Sequence, residues 1–230
     1  QARDYFVNQS FRRDLYVRGA TRLSTAEQRQ TLFNTRFILL QAPESVPVHV
    51  RGPAGEASLQ TEIYGPVLEA LTTNNYAPKT LRQLSAAASS LASDDVLQAL
   101  NVLIGMNAVA PCQSEAAEKG VQARCNDLNL ELCKRSLLND KIQVLASPVT
   151  GGGITVSRFE QLFLISIKHG QEQPAEWAQL AWAILGEQGE VLVRDGQPLA
   201  SAQENIAELT LSAQVFASNK LVILRALNIV

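Results

Sequence analysis

Two histidines, His49 and His169, and three cysteines, Cys112, Cys125 and Cys133, are all the imidazole and thiol this sequence contains. Nucleophilic catalysis needs a thiol or hydroxyl with a base in reach, and no cysteine has a histidine within its own local motif. A zinc site needs cysteines or histidines a few residues apart, and the three cysteines have no such spacing. An odd number of cysteines with no framework spacing predicts unpaired thiols in a reducing, cytoplasmic setting. Cys112 and Cys125 flank a polar stretch and are the one pair that oxidation could join. His49 falls in a predicted edge strand, exposed or satisfied by backbone. His169 falls in the last turn of a predicted helix, where a cation is favourable to the helix dipole.

Glycine-rich stretches are the next source of chemistry. Gly151-Gly152-Gly153 lacks the Gly-Lys-Ser/Thr ending of a phosphate loop and reads as a turn between strands. Gly52-Pro53-Ala54-Gly55-Glu56 is the nearest approach to a dinucleotide or S-adenosylmethionine turn, and Pro53 breaks it. No cofactor fingerprint is present, so the expectation is a chain with no catalytic, cofactor-binding or metal-binding residues of its own. Recognition residues remain. Trp177 and Trp182 lie about 140° apart around a predicted helix, so one belongs to the core and the other is free to mark an interface. Tyr76 sits in a break between helices. Arg12, Arg13 and Arg18 form the densest basic cluster. A solvated helix end is the simpler reading of that cluster; contact with another domain or an acidic substrate is the sharper one. Trp177, Trp182, Tyr76, Arg12 and Arg13 are the candidate partner or substrate contacts.

The elements that must position these residues can be read from periodicity. The 230 residues are 46% apolar and 18% charged, enough for a sizeable core. Residues 1–13 read as a short helix, followed by a strand at Leu15-Tyr16-Val17. Ser24 and Glu27 form a capping-box signature for a helix running to about Phe33. Strands at 37–40 and 46–50 and a turn at 52–55 complete a small α/β unit. Ile63, Val67, Leu68 and Leu71 then start a helical stripe that stops at Asn74-Asn75-Tyr76-Ala77-Pro78. Leu81, Leu84, Ala88 and Leu91 make a second. Val96, Leu100 and Leu103 make a third, opened by Ser93-Asp94-Asp95 and closed by Asn107-Ala108-Val109. Three such helices and a short strand read as either a winged-helix-like module or a plain three-helix bundle.

The texture recurs. Residues 113–125 read as an exposed loop and Asp127–Leu138 as an amphipathic helix. Strands are predicted at 142–145 and 154–156. Phe159, Leu162, Phe163 and Ile167 form a helical stripe that Gly170 ends. Pro174 opens a helix with Trp177, Leu180, Ala181 and Ile184 on its apolar face. Asp195-Gly196 is a hairpin turn, and Ile206, Leu209, Ala213 and Phe216 face the core from a last long helix. Asn228-Ile229-Val230 closes this set as Asn107-Ala108-Val109 closes the first, which suggests a weak duplication of 59–110 in 159–230. The expectation is an α+β, mainly helical chain: residues 1–125 hold the N-terminal α/β unit and a first winged-helix-like module, and 126–230 hold a second with its preceding strands.

Paired winged helices raise DNA binding by a transcription regulator as an alternative function, through DNA or a protein partner. The net charge is −2, and neither third helix, 94–106 or 203–216, contains a Lys or Arg. A recognition helix without cations meets phosphate badly, so no nucleic acid is expected. No apolar run approaches the roughly 20 residues that span a bilayer, so no membrane insertion is expected.

Several stretches together resemble a known family. "DYFVNQSFRRDLYVRG" (Asp4–Gly19) resembles the opening of the methyltransferase regulatory domain, the region that follows the class I S-adenosylmethionine-dependent domain in bacterial proteins. "IYGPVLEALTTNNYAPKTLRQLSAAA" (Ile63–Ala88) is similar to its middle, and "LASPVTGGGITVSRFEQLFL" (Leu145–Leu164) and "VRDGQPL" (Val193–Leu199) to its C-terminal part. The resemblance covers nearly the whole chain, in order. It implies a non-catalytic regulatory or substrate-recognition region of a protein methyltransferase. The family includes enzymes that methylate lysines of outer-membrane surface proteins, and the C-terminal regions of those enzymes help to form the substrate-binding cleft. On that reading S-adenosylmethionine belongs to an upstream catalytic domain of the same chain, and the partners are that domain and a protein substrate. A start at Gln1 within a polar helical pattern agrees with a region cut from a longer protein.

Overall fold

A computed structural model describes residues 16, 18, 19, 21–52 and 55–230. The architecture is mainly helical α+β, with small antiparallel sheets. Two compact units are present, Gln1–Leu32 and Phe33–Val230. The helix expected at 1–13, with Arg12 and Arg13, lies outside the described residues. So does the strand expected at 15–17 apart from Tyr16, which is exposed and in no strand. Helix α1 (Thr25–Asn34) starts where its signature places it. The Ser24 N–H donates to Glu27 Oε2 at 2.8 Å, and the Glu27 N–H donates back to Ser24 Oγ at 3.3 Å.

The second unit begins with β1 (Arg36–Leu39), whose Phe37, Ile38 and Leu39 are buried. A 3₁₀ turn at Pro43–Ser45 leads to a hairpin of β2 (His49–Gly52) and β3 (Gly55–Ser58). Helix α2 (Thr61–Tyr76) buries Val67, Ala70 and Leu71. Its ladder breaks at Thr73, and Asn74, Asn75 and Tyr76 take left-handed conformations, which short polar side chains tolerate best. Lys79, 8% exposed, donates to the Thr73 and Ala77 carbonyls at 2.6 and 3.0 Å and so caps this broken end. Then come β4 (Lys79–Thr80), α3 (Leu81–Ala87), α4 (Ser93–Gly105) and β5 (Val109–Pro111). Leu81, Leu84, Val96, Leu100 and Leu103 are buried in the phase their spacing predicts. The helix–strand–helix–helix–strand order is that of a winged helix. The middle strand of its β4-β1-β5 sheet is β1, which comes from upstream of α2 instead of from a wing after β5.

The predicted loop at 113–125 is instead the first half of one helix, α5 (Glu115–Ser136), which runs unbroken through position 125/126. Ser114 caps it, accepting from the Ala117 N–H at 3.3 Å. The helix buries only Asn129, Cys133 and Ser136, so its sequence is polar because its surface is solvated, not because it lacks structure.

The second helical set follows: hairpin β6 (Val144–Ser147) and β7 (Gly152–Thr155), α6 (Arg158–Lys168), α7 (Pro174–Glu187), hairpin β8 (Val193–Arg194) and β9 (Gln197–Pro198), and α8 (Ala202–Val215). A single π turn, Phe216–Lys220, joins α8 to α9 (Leu221–Ala226). Gly151, at φ +70°, turns the first hairpin; Asp195 and Gly196, at +52° and +78°, turn the second. On α7 the fully buried stripe is Trp177, Ala178, Ala181 and Leu185. Ile184, expected in the core, is half-buried, because the buried line follows every fourth residue from Trp177 and leaves Ile184 to one side. The core cluster joins Ile38 of β1 and Ala42 of the loop after it to Leu162, Phe163, Trp177, Leu209 and Leu224 of the second helical set.

Buried polar side chains tie these elements. Arg158, 6% exposed, donates through Nε to the Ser136 carbonyl at 2.8 Å and through Nη1 to both Glu190 oxygens at 2.8 and 2.7 Å. Its Nη2 reaches Gln188 Oε1 at 2.5 Å, so one guanidinium joins the ends of α5 and α7. Arg36 bridges from β1 to α5 through the Gln113 carbonyl (2.6 Å) and Glu118 (3.1 Å).

Candidate functional site

A groove of about 710 Å³ opens between the loop that follows β1 and the second helical set. Leu40–Ala42, Ser45 and Asn107 form one wall. Residues 153–155 of β7 and the first turn of α6 form another, and α8 with its π turn forms the third. The floor is aromatic. Phe163 and Phe216 line it with ring centroids 5.7 Å apart, and Trp177 backs both at 6.4 and 6.3 Å. Phe159, Leu211 and Val215 stand on the walls with 36%, 56% and 59% of their surface exposed. Large apolar side chains gathered at that exposure around a concave surface make this the candidate interaction site.

The rim is charged. Lys220 Nζ lies 2.7 Å from Glu160 Oε2 at one point, and Arg194 pairs with Glu208 at 3.5 Å at another. The π turn makes the first pair possible. Its wider winding shifts the helix phase, so Phe216 turns inward while Asn219 and Lys220 line the groove. Glu160 is also the third helical residue of α6 and accepts the Ser157 N–H at 2.6 Å in a capping box.

The sequence-predicted contacts fall elsewhere. Trp177, 3% exposed, is a core residue whose Nε1 donates to the Gln171 carbonyl at 3.0 Å. It stands one layer behind the groove. Trp182 is half-buried against the core beside Gly186, and Tyr76 is half-buried in the left-handed turn that ends α2. Neither lines the groove; both pack against the core cluster that contains Trp177. Phe159, Leu211, Val215 and Lys220 were not among the expected contacts. Phe159 belongs to the stripe assigned to the core. Leu211 and Val215 do carry a signal: they are four apart on the side of α8 away from Leu209 and Ala213, so the helix is apolar on two faces.

The other chemistry-bearing residues do not line the groove. His49 is exposed, with Nδ1 3.0 Å from Ser58 Oγ across the β2–β3 hairpin. His169 is exposed at the C-terminal end of α6, and its N–H bonds the Ile165 and Ser166 carbonyls. All three cysteines are free thiols; burial pushes Cys112 up to about 12 and Cys133 up to about 11. Among the described residues, no group of three or more His, Cys, Asp or Glu is placed to hold a metal ion, and no helix is long and apolar enough to cross a membrane.

No family model matches the chain, and no solved structure matches it. It is similar to a protein of Synechocystis sp. that is described as uncharacterized, with 34% identity over 229 residues. That similarity takes in 99% of this chain and 44% of the Synechocystis protein, so the chain spans less than half the length of the relative it matches.

Proposed function

We propose that this chain is a non-catalytic substrate-recognition or regulatory region of an S-adenosylmethionine-dependent methyltransferase acting on protein. The catalytic domain lies upstream in the same protein. The groove between the loop that follows β1 and the second helical set carries the reading. Its aromatic floor, exposed apolar walls and charged rim suit a protein segment, which buries apolar side chains and orients itself by polar contacts at the edge. The resemblance of residues 4–19, 63–88, 145–164 and 193–199, in order, to the methyltransferase regulatory domain supports the parentage. The similar Synechocystis protein is long enough to hold a further domain.

The test is made in the full-length enzyme. Leu211→Asp and Phe159→Ala should raise KM for a protein acceptor about tenfold, with kcat and methyl-donor affinity held. An unchanged KM in both variants overturns the reading. The isolated chain should give no heat on titration with S-adenosylmethionine. The regulator alternative lacks comparable support: α4 opens with exposed Asp94 and Asp95, and neither α4 nor α8 contains a Lys or Arg. Duplex DNA should bind no tighter than a Kd of about 10⁻⁴ M at physiological salt.

A further inference from the structure

Among the described residues, the hairpin beside the groove has one covered edge and one open edge. Val144 faces Thr155, Leu145 faces Ile154, Ala146 faces Gly153 and Ser147 faces Gly152. The Val156 N–H donates to the Gln143 carbonyl at 3.0 Å, so 143 and 156 are a hydrogen-bonded pair. An antiparallel ladder alternates, which makes 145/154 and 147/152 hydrogen-bonded pairs as well. In the intervening pairs, 144/155 and 146/153, the N–H and C=O groups point outward from the hairpin. The β6 edge displays this directly. The Ala146 N–H donates to Asn129 Oδ1 at 2.7 Å, and its carbonyl accepts from Asn129 Nδ2 at 2.8 Å. Asn129, 2% exposed, covers that edge as a neighbouring strand would.

The β7 edge has no such cover among the described residues. Among the described residues no hydrogen bond reaches the outward N–H or C=O of Gly153 or Thr155. Both residues are exposed, and both line the groove. Unpaired groups repeat along this edge every second residue, about 6.7 Å apart, the spacing of an extended chain. A helix has no backbone groups free to answer them. Gly152 and Gly153 present no side chains that would hold another backbone away.

We infer that the groove takes an extended polypeptide segment that adds to β7 as a third strand. Main-chain bonds to Gly153 and Thr155 fix its register, and alternate side chains enter the apolar space among Phe159, Phe163, Leu211 and Val215. The inference rests on the reading of the groove as a docking site for protein, and not on methyl transfer.

The probe is a peptide of about 12 residues selected on this chain from a random displayed library, long enough to cover the strand and its flanks. Thr155→Pro removes one outward N–H and leaves the ladder bonds of Ile154 and Val156 in place. It should weaken the selected peptide about tenfold with the melting temperature preserved. Val144→Pro removes an outward N–H from the opposite edge and should leave affinity unchanged. Two readouts need no protein variant. N-methylation of the peptide backbone should abolish binding at every second position and be tolerated between. Hydrogen exchange at the Gly153 and Thr155 amides, fast in the free chain, should slow on binding. Peptides that Leu211→Asp abolishes, but that ignore Thr155→Pro and leave exchange at 153 and 155 unchanged, overturn strand addition and keep the docking site. Failure to select any peptide sensitive to Leu211→Asp overturns both.

Discussion

Glu160 and Lys220, 60 positions apart, meet on a single carboxylate oxygen: Lys220 Nζ donates to Glu160 Oε2 at 2.7 Å, and the same oxygen accepts the Ser157 N–H at 2.6 Å. The first turn of α6 and the π turn are thereby held together at the rim of the groove. Glu160→Gln keeps a side chain that can close the capping box and loses the charge. It should cost about 1 kcal/mol, since both partners are partly buried. Glu160→Ala loses the cap as well and should cost about 2 kcal/mol. Denaturant midpoints check the order. Equal losses would mean that the cap contributes nothing, and a Glu160→Gln variant as stable as the wild type would mean that the ion pair contributes nothing.

Arg158 makes a second prediction. Its guanidinium is buried and meets acceptors from three residues, whereas the Glu190 side chain is 49% exposed and shares its charge with water. Arg158→Lys should cost about 3 kcal/mol, because one ammonium cannot reach the Ser136 carbonyl, Gln188 and Glu190 together. Glu190→Gln should cost about 1 kcal/mol. Thermal unfolding of the two variants tests the asymmetry.

The thiols predict a loss of stability in alkali. Burial, the largest cause, pushes Cys112 up to about 12, with nearby Arg36 opposing and Glu118 reinforcing. Cys133 is pushed up to about 11, mainly by burial, with Lys168 opposing. A raised thiol pKa means the fold favours the neutral form. That contribution is fully present below the ordinary value of 9.0 and is lost as pH rises towards 12. The melting temperature should fall above pH 9.0, and Cys112→Ala should flatten the fall. The slope is at most about 1.4 kcal/mol per pH unit for each thiol. At pH about 8, Ellman's reagent should modify Cys125 before either of the others, because raised pKa values leave little thiolate at Cys112 and Cys133.

Asn107 and Asn228 give a matched pair. They stand at φ 58° and 54°. Each is followed by an N–H bonded five residues back, Ala108 to Leu103 and Ile229 to Leu224, at 2.9 and 3.0 Å. Both helices therefore end in the same left-handed motif. Asn107→Ala should cost about 1 kcal/mol, and Asn107→Gly should cost nothing. Asn228→Gly should cost more than Asn107→Gly, because Asn228 Nδ2 also donates to Glu118 Oε1 at 2.7 Å. Calorimetric melting of the three variants measures the difference.

Local physics was legible before any tertiary contact. Ser24 with Glu27 and the stop at Gly170 are signals completed within a few residues. So are the start at Pro174, the Asp195-Gly196 turn and the two asparagine ends. The apolar stripes through Val67, Leu84, Leu100, Leu162 and Leu209 identify their buried faces for the same reason: a helix brings i and i+4 together whatever lies beyond it. Position 115 to 125 escaped because a solvated helix and a polar loop share a composition. What the tertiary structure decided is everything that joins distant segments. The middle strand of the first sheet arrives from upstream of its helices, and Asn129 takes the place of a strand beside Ala146. Arg158 finds three partners outside its own helix, and the π turn carries Lys220 to Glu160. The groove is made by walls from β1's loop, β7, α6 and α8, and no one of these segments contains the information that the other three will stand opposite it. Trp177 looked like a contact because it is large and aromatic; the fold packs it into the core against Phe163 and Phe216, which are buried as it is, and leaves Phe159, Leu211 and Val215 as the exposed apolar side chains of the groove.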